Sequence, residues 1–300
     1  MLKIEPGNTI LGATVTGVDL VHPLSAADFA QVLRALGKHG VLCFPKQAID
    51  AAALRQFSSR FGELQVLSRN AEPGMPEVSI LSNVMEQGRY IGTPDAGQDW
   101  HTDMTYNRVA GFVNVLVAHK VPMRDGKPLG GTAFTNTQAA YDDLPAEIKA
   151  RLANASALHD WNNFHEIMRR KGSKRPPLSA EERRQRPPVS HPLFLTHPIS
   201  GRKVIYVNPG FAVRINELSP DESRDMLEYL FAHVLQLKYR YTHHWAVGDV
   251  LIWDHLGTWH CAVADYRPDE LRLMKRCQVL ADRVFDAEFL KAALDASALA

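Results

Sequence analysis

Two short motifs, far apart in the chain, place the tightest constraint on how it folds: Trp100-His101-Thr102-Asp103 and Trp259-His260. In the first motif, a histidine and a carboxylate stand two residues apart. On a β-strand that spacing points both side chains to the same face, because successive side chains alternate. The threonine and aromatic content of residues 99–106 predicts a strand rather than a helix. We therefore expect His101 and Asp103 to project from one side of a strand.

The residue types of the two motifs indicate a metal site. Two imidazoles and one carboxylate on one face of a divalent metal leave the remaining coordination positions open, which is the facial triad of non-haem Fe(II) oxygenases. A His-x-Asp pattern is weak evidence by itself, since the chain has 13 histidines. The interpretation therefore depends on the residues around both motifs.

The composition is that of an ordinary globular protein, with 45% hydrophobic and 22% charged residues among 300. A net charge of +1 argues neither for a nucleic-acid surface nor for a membrane surface, so we expect neither partner. No apolar run reaches about 18 residues, so we expect no transmembrane helix, and residues 1–7 lack the apolar core of a signal peptide. The three cysteines, an odd and sparse set, predict reduced thiols in a cytoplasmic protein.

Hydrophobic periodicity predicts many strands and a few helices. Strands are expected over 10–20, 41–44, 78–81, 112–118, 131–135, 193–197, 203–208, 239–244, 250–253 and 271–280, and helices over 25–39, 50–61, 137–153 and 219–237. Antiparallel strands interrupted by flanking helices predict a mainly β fold, the jelly-roll barrel. At 300 residues such a barrel fits in one domain.

Residues 162–190 differ in composition from the rest of the chain. This segment is rich in basic residues and prolines: Arg169, Arg170, Lys171, Lys174, Arg175, Pro176, Pro177, Arg183, Arg184, Arg186, Pro187 and Pro188. A nucleic-acid site is one interpretation, and a solvated surface excursion is another. Its position between strands favours a lid, so we predict a single domain over 1–300 with a basic lid-like insertion at about 162–190.

Three motifs in order, Trp100–Asp103, Gly130-Gly131-Thr132 and the run from Gly248 to Tyr266, resemble the taurine dioxygenase (TauD/TfdA) family, which includes 2,4-dichlorophenoxyacetate dioxygenases. The resemblance runs from Leu11 to about Asp282. It implies an Fe(II)- and 2-oxoglutarate-dependent dioxygenase on a double-stranded β-helix, a cupin-like barrel. His101, Asp103 and His260 match the family's three iron ligands.

The resemblance also implies the co-substrate site. Thr132 and Arg272 match the residues that hold the distal carboxylate of 2-oxoglutarate, and a guanidinium fork suits a carboxylate. Arg276 matches the second arginine, close to the co-substrate and to the acidic group of the substrate, and Phe211 matches an aromatic of the substrate pocket. The implied reaction consumes O₂, converts 2-oxoglutarate to succinate and CO₂, and hydroxylates a small organic acid. Cleavage of a C–S or C–O bond follows if the hydroxylated carbon carries such a bond.

The resemblance fails at the contacts that hold taurine. A histidine and a tyrosine expected after residues 60–64 fall at about Leu67 and Asn70, and an expected asparagine falls near Gly97. The pocket is therefore predicted to be less polar, and the substrate to be a larger and more apolar organic acid than taurine. The resemblance implies a homo-oligomer, either a dimer or a tetramer.

Two functions of other classes stay open on sequence grounds. The same ligands could hold zinc in a hydrolase, although Thr132 and Arg272 would then have no role. A metal-free jelly-roll binding protein is the other alternative, with His101 and His260 as structural residues. Five other histidines are given structural positions: His255 outside or beneath the barrel, His243 and His244 on the surface of a strand, and His191 and His197 beside a proline-bounded strand.

Overall fold

The computed structural model describes residues 1–66, 70–173 and 177–294. Within these ranges the helices are α1 (Ala26–His39), α2 (Ala51–Ser59), α3 (Thr137–Asp142), α4 (Ala146–Leu152), α5 (Trp161–Arg170), α6 (Ala180–Gln185), α7 (Pro220–Val234) and α8 (Ala287–Leu294), with a 3₁₀ turn at Leu237–Tyr239. None of these helices is both long and apolar enough to cross a membrane.

Strands make up most of the remaining regular structure. In chain order they are β1 (Lys3–Pro6), β2 (Ala13–Thr16), β3 (Val41–Phe44), β4 (Ala71–Glu72), β5 (Met75–Ser82), β6 (Met85–Glu86), β7 (Arg89–Tyr90), β8 (Gly111–Lys120), β9 (Met123–Arg124), β10 (Lys127–Pro128), β11 (Thr132–Asn136), β12 (Ser156–His159), β13 (Val189–Pro192), β14 (Phe194–Thr196), β15 (Lys203–Ile205), β16 (Ala212–Ile215), β17 (Arg240–His243), β18 (Val250–Asp254), β19 (Thr258–Ala262) and β20 (Leu273–Leu280). The predicted mainly β fold with flanking helices is confirmed.

The largest sheet has eight strands in the order β1-β2-β3-β18-β8-β20-β5-β4, and a three-stranded sheet has the order β17-β11-β19. The central strand β8 contributes to two apolar clusters because its side chains alternate. Val113, Val115 and Val117 join the cluster that packs against α1 and α2. Leu116 and Ala118 join a second cluster, which also contains Phe134 of β11 and Trp253 of β18. This second cluster therefore lies between the two sheets.

Helix ends follow the local signals in the sequence. Ser25 accepts a hydrogen bond from the Asp28 amide and begins α1, and Gly40, with φ +68°, ends it. Helix α7 begins with a capping box between Ser219 and Glu222, with Pro220 in its first turn. These interactions are local, and they fix the helix ends where the sequence predicts them.

The strand expected over 10–20 is limited to β2, and the helix expected over 219–237 ends at Val234. Two other sequence predictions are wrong in detail. The helix expected over 137–153 is two helices, α3 and α4, because Pro145 lacks an amide hydrogen and lies at the N-terminus of α4. The strand expected over 99–106 is limited to one isolated bridge at His101. The chain then turns at Asp103, and Met104 adopts a left-handed φ of +65°.

Candidate active site

Main-chain hydrogen bonds join the two sequence motifs directly. The His101 amide donates to the His260 carbonyl at 3.0 Å, and the His260 amide donates to the His101 carbonyl at 2.8 Å. His260 lies on β19, where it pairs with Phe134 of β11. Two segments from distant parts of the chain are thus held side by side by the backbone, and this contact fixes the positions of both imidazoles.

The side chains of His101, Asp103 and His260 converge. One carboxylate oxygen of Asp103 lies 3.5 Å from Nε2 of His101, and the other lies 3.5 Å from Nε2 of His260. The imidazole centroids are 4.2 Å apart, and all three residues are buried. An ion held at about 2.1 Å by each donor needs donors roughly 3 to 4 Å apart. The geometry therefore fits a divalent metal ion.

The protonation states of these groups also suit metal binding, which needs neutral imidazoles and an ionised carboxylate. Burial, together with the nearby His101, lowers the pKa of His260 to about 4. Burial alone would raise the pKa of Asp103, but the Arg276 guanidinium, and secondarily the two neighbouring imidazoles, hold this pKa well below its usual range. Nδ1 of His101 lies 2.7 Å from the Asp99 carbonyl. Since a carbonyl can only accept, Nδ1 donates there, and Nε2 is left free to bind a metal.

The described residues contain a second group of possible metal ligands: Cys43, His243 and Asp249. Nε2 of His243 lies 3.2 Å from an Asp249 oxygen, which also accepts the Ala246 amide. Burial, and secondarily Asp249, raises the pKa of the Cys43 thiol to about 12, and a protonated thiol is a poor ligand. This group is therefore explained by a hydrogen bond that closes the turn before β18. His243 is buried, so its predicted surface position is wrong, whereas His244 is exposed.

Thr132 and Arg272, predicted to bind a carboxylate, are both buried. Arg272 forms no salt bridge with any described residue, although its backbone is held by Asn83 and Ser82. Gly130, with φ +66°, lies against this arginine, and a Cβ there would come within 3.2 Å of its Nε. A buried guanidinium without an anionic partner is costly, so this arrangement is suited to a ligand carboxylate.

Arg276 lies beside the three candidate ligands. Its Nη1 donates to Asp103 Oδ2 at 3.0 Å, and its Nε donates to Ser79 Oγ at 3.2 Å. Its Nη2 has no hydrogen-bond partner among the described residues. Arg276 can therefore support the Asp103 carboxylate and still offer donors to another anion.

Phe211 belongs to an apolar cluster that borders His101. Its ring centroid lies 6.2 Å from that imidazole, and the ring of Phe164 on α5 lies 4.9 Å from it. The rest of this cluster comprises Tyr106, Trp161 and Met168. Three of these five residues come from α5, and two of them, Phe164 and Met168, lie within the segment 162–190 predicted to form a lid. That segment is partly helical, and its Lys174, Arg175 and Pro176 lie outside the described residues.

Of the three positions expected to differ from a taurine site, the structure describes two, Asn70 and Gly97. Leu67 lies outside the described residues. The Asn70 side chain donates to Thr93 Oγ1 at 2.9 Å. Gly97, with φ +71°, lies so close to His101 that a Cβ would approach its ring to 3.3 Å.

Sequence reasoning missed one polar partner of the site. The indole N–H of Trp245 donates to the Thr132 hydroxyl at 3.0 Å, and both side chains are buried. The two residues are far apart in the chain, and Trp245 carries no chemical signal of its own. Only the pairing of β11 with β17, which sets Thr132 opposite His243, brings them together.

A mainly β fold with this donor set and a buried arginine free for an anion defines the class of Fe(II)- and 2-oxoglutarate-dependent dioxygenases. The chain belongs to the taurine catabolism dioxygenase TauD, TfdA family, whose model matches residues 3–278. It is therefore an oxidoreductase that uses Fe(II), 2-oxoglutarate and O₂ on a small molecule, as predicted. Family membership sets aside the zinc hydrolase and the metal-free binding protein.

Several proteins are similar over most of their length. Pentalenolactone F synthase of Streptomyces avermitilis is 31% identical, over 92% of this chain and 93% of that protein. The alpha-ketoglutarate-dependent 2,4-dichlorophenoxyacetate dioxygenase of Cupriavidus pinatubonensis is 29% identical, over 93% and 98%. Among solved structures, AAD-2 in complex with Mn(II) and N-oxalylglycine matches with a TM-score of 0.75 and 27% identity, over 93% of this chain and 97% of that one.

Proposed function

We propose that His101, Asp103 and His260 bind the Fe(II) ion, and that Thr132 and Arg272 bind the distal carboxylate of 2-oxoglutarate. The observation that carries this proposal is the buried Asp103 carboxylate, which lies 3.5 Å from Nε2 of both histidines. When bound, iron and 2-oxoglutarate supply the oxidising chemistry, in which O₂ is consumed, succinate and CO₂ are released and the substrate is hydroxylated.

The residues of the chain position the reactants. The Asp99 carbonyl fixes the tautomer of His101, and Asn83 holds the backbone of Arg272. Arg276 keeps Asp103 ionised, and its Nη2 pairs with the anionic end of the substrate. Phe211 and Phe164 provide an apolar wall beside His101. These features support a substrate that is an organic acid with more apolar surface than taurine.

We also infer that the eight-stranded and three-stranded sheets are the two halves of a double-stranded β-helix, in one domain over 1–300. Helix α5, which contacts His101 through Phe164, supports a lid formed by residues 162–190. The three cysteines are free thiols, which supports a cytoplasmic location. Assembly into a dimer or tetramer is a prediction from the family resemblance.

Anaerobic absorption spectroscopy tests the proposed site. Adding Fe(II) and 2-oxoglutarate to the purified protein should produce a weak visible metal-to-ligand charge-transfer band. Loss of a metal ligand in His260→Ala should abolish the band. In Arg272→Ala, loss of the buried cation should raise the Kd for 2-oxoglutarate at least about 30-fold, since breaking a buried charge pair costs about 2 kcal/mol or more.

Arg202→Ala is the matched control, because Arg202 forms an exposed ion pair with Asp142. This variant should bind 2-oxoglutarate like the wild type. An unchanged band in His260→Ala would show that the iron is bound elsewhere. Equal affinities for 2-oxoglutarate in Arg272→Ala and Arg202→Ala would remove Arg272 from the co-substrate site.

A further inference from the structure

Three neighbouring strands carry polar side chains in a single line across the inner face of the large sheet. Asn114 of β8 is paired in register with Trp253 of β18 on one side and with Gln278 of β20 on the other. Side chains directly opposite each other on paired strands share a face of the sheet. We call Trp253, Asn114 and Gln278 the polar row.

The polar row faces the space between the two sheets. Val113 and Val115, which flank Asn114, pack on the opposite side with α1 and α2, whereas Trp253 belongs to the cluster between the sheets. On β20, Gln278 follows two residues after Arg276, so both side chains project from the same face. Since Arg276 bonds Asp103 from that face, the polar row lies on the sheet face that Arg276 presents to the candidate iron ligands.

All three residues of the polar row are buried, and each has an amide or indole N–H group without a partner. The atoms are Nδ2 of Asn114, Nε2 of Gln278 and Nε1 of Trp253, and none has a hydrogen-bond partner among the described residues. The side-chain amide oxygen Oδ1 of Asn114 and both ring nitrogens of His255 have no partner among the described residues either. Buried polar groups are almost always hydrogen-bonded. So many unpartnered donors at one place therefore indicate a ligand that accepts hydrogen bonds.

The distances place this group beside the metal ligands. The Trp253 ring centroid lies 5.0 Å from the His260 ring, and the His255 ring centroid lies 5.9 Å from it. The apolar cluster of Phe164 and Phe211 borders His101 instead. A molecule next to the metal would thus contact apolar side chains at one ligand and hydrogen-bond donors at the other.

We propose that the polar row binds an uncharged carbonyl oxygen of the substrate, so that the substrate is a keto acid or an ester-containing acid with an apolar frame. The proposal rests on the proposed function and narrows its substrate class. N–H donors predominate in the row, which favours an acceptor oxygen. Residues 276 and 278 are about 7 Å apart along a strand. This spacing allows Arg276 to hold the carboxylate while the row holds the carbonyl.

A matched pair of probes tests the proposal: cyclohexanecarboxylate and 4-oxocyclohexanecarboxylate. The two acids differ only in a carbonyl group, on the ring carbon opposite the carboxylate. Binding is measured anaerobically from the shift of the charge-transfer band of the Fe(II)–2-oxoglutarate complex. The wild type should bind the keto acid roughly tenfold more tightly, since a hydrogen bond to an otherwise unpaired buried donor contributes about that factor.

Asn114→Leu and Gln278→Met keep the approximate side-chain volume and remove donors of the polar row. Each variant should reduce the preference for the keto acid and leave binding of cyclohexanecarboxylate unchanged. Tyr206→Phe is the control, because Tyr206 is also buried with an unpartnered hydroxyl but lies outside the row. The control should keep the full preference.

Thermal melting of the metal-free variants provides a second readout. Replacing an unpartnered buried amide with an apolar side chain should leave the melting temperature equal or higher. A lower melting temperature in both variants, with the keto preference intact, would show that the row is only structural and would overturn the proposal. A wild type without any preference for the keto acid, or without binding of either probe, would overturn it as well.

The outcomes also separate this proposal from the one on which it rests. A wild type that forms the charge-transfer band but shows no keto preference refutes the role of the polar row alone. A wild type that forms no band refutes the assigned iron and 2-oxoglutarate site, and the carbonyl proposal with it.

Discussion

At the residue scale, the orientation of the Thr132 hydroxyl group is set by an uncharged neighbour, Trp245. An indole N–H can only donate, so Trp245 occupies an acceptor position of the Thr132 oxygen. The hydroxyl hydrogen is then available to a carboxylate oxygen. His243 packs edge-on against Trp245, with ring centroids 4.8 Å apart, and Asp249 bonds His243. The turn before β18 therefore supports the predicted 2-oxoglutarate site.

Trp245→Phe should weaken 2-oxoglutarate binding without altering the reaction itself. We expect the KM for 2-oxoglutarate to rise roughly tenfold, the value of one buried hydrogen bond, and kcat at saturating 2-oxoglutarate to stay nearly constant. Steady-state kinetics with an accepted substrate measure both. Thr132→Val should have a similar effect, and the double variant should add little to it. Fully additive effects would contradict a shared role.

At the element scale, helix α7 begins at a cap that can be removed by a single substitution. The Ser219 hydroxyl accepts the Glu222 amide, and the Glu222 carboxylate accepts the Ser219 amide. Ser219→Ala should lower the free energy of unfolding by about 1 kcal/mol, as measured by urea denaturation. Ser219→Asp retains a capping oxygen and should lose less. Unchanged stability in Ser219→Ala would mean that the packing of α7 alone fixes its start.

The same cap shows which elements can be predicted from the sequence. Ser219, Pro220, Ser25 and Gly40 act on their own helices, so local patterns place α1 and the start of α7 correctly. The segment that carries Asp103 is different, because its strand pairing is a single bridge to β19 and its backbone then turns through Met104. Propensity predicts a strand there, and tertiary contacts override it.

The candidate ligands could be predicted because their residue types are rare in combination and match a family motif. The polar row could not be predicted, since an asparagine, a glutamine and a tryptophan on three strands carry no pattern along the chain. Their proximity follows from the register of β8 with β18 and β20, and register is a property of the folded sheet.

At the scale of the whole molecule, stability should fall in mild acid. Burial lowers the pKa of His159 to about 3, whereas an unfolded chain binds this proton with a pKa of about 6.5. Between these values the unfolded state binds more protons, so unfolding becomes easier as the pH falls, by up to about 1.4 kcal/mol per pH unit. His191 and Tyr206 surround the ring, and burial lowers the pKa of His191 as well.

Denaturant unfolding between pH 7 and about pH 4 tests this expectation. His159→Phe should show a shallower dependence on pH than the wild type, because one buried neutral imidazole is absent. Substitution of the exposed His244 by phenylalanine provides the comparison. Parallel curves for the wild type and His159→Phe would contradict the assignment of the acid sensitivity to this residue.

The two main-chain hydrogen bonds between His101 and His260 have a consequence for how the protein responds to loss of its metal ion. Because main-chain hydrogen bonds and not a metal join the two segments, the proposed iron ligands His101 and His260 should keep their spacing when the ion is absent. If the iron ion were lost through oxidation or to a chelator, the donor groups would remain at the same spacing. Reloading would then require only diffusion of a new ion, with no refolding of the chain around it.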